Sequence, residues 1–162
     1  MNGKLTDTNA VTVTSGTLGG TGMILGPVTV QAGGIFSPGN SAGNFTLSNS
    51  LTLLAGSKTV IDVNAATLAH DLVKGISAAT CAGTLTVSNL AGTPAPGQNY
   101  LIFSATSSSG NFSSIAPQLA GSVRWRFAPA SGALSVISNF EAENAEDFLK
   151  TANWFCTFPF DR

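Results

Sequence analysis

The chain has 162 residues, enough for one domain, but only 9% are charged, against roughly 25% in an ordinary soluble domain. Hydrophobic residues make up 43% and glycines number 18, a mixture with Ser, Thr and Asn that suits strands and turns better than helices. Seven basic against eight acidic residues give a net charge of −1, so no electrostatic footprint points to nucleic acid or to an anionic membrane.

The N-terminal stretch MNGKLTDTNA has no apolar run of the kind a secretory signal needs, and no run of 18 or more apolar residues occurs anywhere. We therefore expect neither an export signal nor a membrane span within these residues. From Val11 onward one phrase recurs: apolar, Thr, apolar, then small residues and glycine. It reads VTVTSGT from Val11, VTVQAGG from Val28, LTLLAGS from Leu51 and, more loosely, LTVSNLAGT from Leu85. The first steps, Val11 to Val28 and Val28 to Leu51, are 17 and 23 residues long, which fits one turn of a β-solenoid.

Strand geometry explains the phrase. Alternate residues of VTV point to one face, so both valines enter a core while the threonine faces out, and glycine makes the corner. Stacked turns would place Val11, Val28 and Leu51 in one inward column and Val13, Val30 and Leu53 in another, with threonines outside. An antiparallel sandwich would have a similar composition, but it does not require one phrase to repeat at turn-like spacing.

The run from Gly16 to Ser57 carries a family resemblance. Gly19-Gly20-Thr21-Gly22, Pro27-Val28-Thr29-Val30 and Ser37-Pro38-Gly39-Asn40-Ser41 together resemble the autotransporter-associated β-strand repeat of secreted bacterial passenger proteins. Asp71-Leu72-Val73-Lys74-Gly75, Gly97-Gln98-Asn99-Tyr100-Leu101-Ile102-Phe103 and Gly110-Asn111-Phe112-Ser113-Ser114-Ile115 are similar to phrases in the C-terminal part of such passengers. The resemblance spans about residues 11–138. It implies a right-handed parallel β-solenoid in a secreted or surface-displayed bacterial protein, with an adhesin or stalk role and C-terminal turns that fold first. It also implies partners among host or surface glycans or other surface proteins. Such passengers are usually followed by a membrane β-barrel or a sorting segment; this sequence shows neither, and we expect it to be a fragment of a longer precursor.

Chemistry-bearing residues are sparse. Cys81 and Cys156 match no zinc spacing, and a single histidine, His70, cannot complete a tetrahedral site; whether the two cysteines pair is left open by the sequence. His70-Asp71 is the best candidate for a base and its orienter, but strand neighbours point to opposite faces, so the pair reads as a solvated corner. Ser41 lies in a turn phrase and not in a Gly-x-Ser-x-Gly elbow. Asp7, Asp62 and Asp71 are too few for the carboxylate clusters of solenoid lyases or hydrolases, and Asp62 is expected outward beside Lys58, opposite Ile61 and Val63. Arg124-Trp125-Arg126-Phe127 reads as a half-buried strand with its aromatics inward. No catalytic, cofactor-binding or metal-binding residue is assigned and the chain is read as non-enzymatic; the alternative is a carbohydrate-binding or polysaccharide-degrading β-helix protein.

The composition changes at Asn139. Residues 1–138 hold five basic and three acidic residues, whereas 139–162 hold two basic and five acidic. Glu141, Glu143, Glu146 and Asp147 follow Asn139 as a candidate N-cap, and Ala145, Phe148, Leu149 and Ala152 would form one apolar stripe of a short helix. The expected organisation is a solenoid over residues 5–138, irregular after Thr67, with an acidic and aromatic tail over 139–162 as either a cap or an extension.

Overall fold

The computed structural model describes residues 1–139, and within them the chain is an all-β parallel solenoid of about four turns. The first turn carries β1 (Lys4–Leu5), β2 (Val11–Val13) and β3 (Gly16–Gly20). The second repeats them as β4 (Met23–Ile24), β5 (Val28–Val30) and β6 (Gly34–Pro38), and the third as β7 (Asn44–Leu47), β8 (Leu51–Leu53) and β9 (Lys58–Val63). In the fourth, β10 (Leu72–Cys81) runs unbroken along the first two sides before β11 (Thr84–Asn89) takes the third. β12 (Asn99–Leu101) then leaves the stack, and β13 (Phe103–Gly110) and β14 (Ser114–Ala116) resume it against β10 and β11.

The repeated phrase sets the register as its alternation predicts. Val11 pairs with Val28 and Val28 with Leu51; Val13, Val30 and Leu53 follow in the parallel column. Val28, Val30, Leu51 and Leu53 are all buried, and Thr12, Thr29, Thr52 and Thr80 line up on the outer surface. The side chains of β9 alternate likewise, with Thr59, Ile61 and Val63 buried and Asp62 facing out with Lys58.

The LTV phrase at Leu85 does not continue this column. Its place is taken by Ala79 and Thr80, opposite Leu51 and Thr52, while Leu85 lies on the third side opposite Thr59. The cause is a steady lengthening of the turns. The register steps along the second side are 17 residues (Val11 to Val28), 23 (Val28 to Leu51), 28 (Leu51 to Ala79) and 29 (Ala79 to Ser108). Most of the growth falls at the corner after the third strand, between Gly20 and Met23, Pro38 and Asn44, Val63 and Leu72, then Asn89 and Phe103.

The irregular end takes a definite form. Parallel pairing continues through β14, which stops at Ala116 before Pro117, a residue with no N–H for a ladder. The chain then builds an antiparallel sheet of order β12-β16-β15 from β15 (Val123–Ala128) and β16 (Ala133–Ser138). Its inner face carries Tyr100, Trp125, Phe127, Leu134 and Val136, all buried, and Phe127 meets Phe103 and Phe112 at ring distances of 6.0 and 5.0 Å. Arg124 and Arg126 are exposed on the opposite face, as the alternation predicts, but on an antiparallel strand and not on a last solenoid turn. The helix and cap readings of the tail fall on residues 140–162, outside the described residues.

Candidate functional site

Polar side chains gather where the turns lengthen. At this third corner the loops 20–22, 39–43, 64–70 and 90–98 lie between successive turns. Asp71, just before β10, is the central group. It is 1% exposed; Oδ1 accepts the Gly43 N–H at 2.9 Å and Oδ2 accepts the Asp62 N–H at 2.7 Å. Its own N–H donates to the Asp62 carbonyl at 2.9 Å, and the Leu72 N–H donates to the Gly43 carbonyl at 2.9 Å. One side chain thus ties two earlier segments to the start of the fourth turn.

The expectation of a solvated His70-Asp71 corner is corrected here. Asp71 is buried because the Gly39–Gly43 loop folds over it, and only the partly exposed His70 stays near the surface. The two do not form an acid–base pair. His70 Nδ1 is 2.8 Å from the Leu68 carbonyl, to which it donates, and its ring stands edge-on to Tyr100 at 5.6 Å. Both Asp71 oxygens hold backbone N–H groups, so neither is aimed at the imidazole as a triad would require. Burial pushes the Asp71 carboxyl up to about 6, against the pull of the Asp62 and Gly43 N–H groups; the Asp62 charge raises it further and His70 lowers it.

Side-chain amides brace the rest of the corner. Asn64 Oδ1 accepts the Ala66 and Thr67 N–H groups, an Asx-type turn that ends at Leu68 with φ 62°. Asn89 accepts the Ala65 N–H at 3.1 Å and donates to the Gly92 carbonyl at 2.8 Å. Gln98 donates to the Ala65 carbonyl at 2.8 Å, and its Oε1 accepts from the Ala95 N–H and the Tyr100 hydroxyl. Asn64, Asn89 and Gln98 were not singled out from the sequence. The signal available was an amide within or beside each loop, Asn64 before Ala-Ala-Thr and Gln98 after Gly97.

The remaining candidates stay apart from this corner or inert. Ser41 has φ 61° in the 39–43 loop, without an elbow around it. Cys81 is buried, and burial pushes its thiol up to about 11, against a hydrogen bond from Ser108, so it has little thiolate character at neutral pH. Cys156 lies outside the described residues. Among the described residues no three His, Cys, Asp or Glu side chains gather as a metal site would need, and no helix is long and apolar enough to cross a membrane.

Gly39 shows how tightly the corner closes. Its φ is +86°, and a Cβ built there would stand 1.9 Å from Asp71 Oδ1. Gly39→Ala is expected to lower stability by about 2 kcal/mol or more, through left-handed strain and displacement of the carboxylate. Gly97→Ala provides the comparison: its φ is +91° but nothing lies within 4 Å of the added Cβ, so strain of about 1 kcal/mol is the whole cost. Thermal melts of both variants test the difference, and equal losses would refute the close approach at Gly39.

No family model, no curated protein and no solved structure matches the chain.

Proposed function

We propose that the chain is a non-catalytic structural segment of a secreted or surface-displayed bacterial passenger protein, serving as part of an adhesin or stalk. The observation that carries this reading is how the third-corner side chains are used. Asp71, Asn64, Asn89 and Gln98 spend their hydrogen bonds on the backbone of neighbouring loops and turns, as braces of a rod do, and do not converge on a shared open point where a substrate could react. The Gly16–Ser57 resemblance to the autotransporter-associated repeat supports the same reading. Parallel ladders running along the axis give such a segment stiffness without a charge network.

The test is localisation in cells that carry the native gene. An antibody raised against folded residues 1–139 is expected to label intact cells, and brief treatment with external protease should remove the signal. An epitope that becomes accessible only after lysis would overturn the proposal.

A further inference from the structure

The outer face of the antiparallel sheet holds the only arginines among the described residues. Arg124 and Arg126 lie two residues apart on β15, the outer strand of the order β12-β16-β15, so their Cα atoms are ~6.8 Å apart along one face. Both are exposed, and neither makes an ion pair or a hydrogen bond with a described residue. Their cross-strand neighbours are Ile137 and Ser135, and Leu101, 43% exposed, lies on the same face. Two unpaired cations beside apolar side chains fit an occupant that is both acidic and apolar.

The chain itself carries such a segment at the edge of this face. Asn139 donates its N–H to the Ser122 carbonyl at 2.7 Å, which holds the last described residue beside the start of β15. The residues that follow include Glu141, Glu143, Glu146 and Asp147, with Phe140, Phe148 and Leu149 among them. The rest of the chain offers few competitors. Its carboxylates are Asp7, Asp62 and Asp71; both oxygens of Asp71 are already taken, and Asp7 is engaged by Asn9. A tether of a few residues gives the acidic stretch an effective concentration that an untethered anion reaches only in the millimolar range.

We propose that residues 141–149 dock on the Arg124/Arg126 face, their carboxylates pairing with the arginines and their apolar side chains covering Ile137 and Leu101. Isolated exposed ion pairs are weak, so the docking depends on several charges acting together and on the apolar contact, and it weakens as salt rises.

Hydrogen exchange of the full chain, followed by mass spectrometry of peptides from 140–162, tests this. In low salt the wild-type segment 141–149 should exchange several-fold more slowly than the same sequence as a free peptide, and the protection should shrink at high salt. Arg124→Glu with Arg126→Glu should abolish it while leaving the far-UV circular dichroism of the body unchanged. Adding Glu141→Lys, Glu143→Lys, Glu146→Lys and Asp147→Lys to that variant should restore it. Absence of protection in the wild type, or protection indifferent to the arginine reversal, would overturn the proposal. So would protection that grows with protein concentration and is lost on dilution, which would place the acidic stretch on a second copy.

Discussion

Val30→Asp and Leu53→Asp are expected to unfold the chain, whereas Thr29→Asp and Thr52→Asp, one residue away in each case, leave it folded. Val30 and Leu53 are fully buried in one inward column, and a carboxylate at either place meets no partner. An uncompensated buried charge costs several kcal/mol, on top of the lost apolar contacts, in a domain whose whole stability is about 5–15 kcal/mol. Thr29 and Thr52 lie in the outer column, where an Asp stays hydrated and costs about 1 kcal/mol in strand propensity. Far-UV circular dichroism with urea titration separates the two cases. Equal tolerance at both kinds of position would mean that the inward and outward faces have been exchanged.

The second large effect belongs to Asp71. Asp71→Ala leaves the Gly43 and Asp62 N–H groups without their acceptors in a buried corner, at a cost of about 1–3 kcal/mol for each. The stability of the wild type should also depend on pH in an unusual direction for a carboxyl. Because burial raises the folded carboxyl from 3.8 to about 6, the folded chain keeps this proton over a range where the unfolded chain has released it. The Asp71 contribution is therefore full below about pH 4 and is lost as pH rises through 6, by about 3 kcal/mol in all. Asp71→Asn removes this component. Unfolding free energies measured between pH 3.5 and 7.5 should converge or cross between wild type and Asp71→Asn in that window; a constant difference between them would refute the assignment.

These two results mark what could be read in advance. The inward columns were legible because strand alternation is local: three residues of VTV suffice to assign faces, and repetition at turn-like spacing supplies the stacking. The phrase at Leu85 misled for the opposite reason. Which side of a turn a strand occupies depends on how many residues the preceding corners consume, and the growing 64–70 loop shifted it onto the third side. Asp71 was misread because its burial is created by Gly39–Gly43 of an earlier turn, about 30 residues upstream, and no pattern around Asp71 encodes that. The Arg124–Phe127 alternation was correct in its faces, although local periodicity says nothing about whether the neighbouring strand runs parallel or antiparallel.

The unequal turns have a consequence for assembly of the fold. In a solenoid of identical repeats, one turn can stack on the wrong neighbour and lose almost nothing, because each apolar column looks the same after slipping by a whole repeat. Here a slip by one level would set a step of 28 residues against one of 17, forcing the surplus residues out at the third corner and parting Asp71 from the Gly43 and Asp62 amides. The taper therefore works as a key. Near-identical strand phrases can be reused for stability while the unequal corners give each turn a distinct address, so the native stacking is separated in energy from its off-by-one alternatives.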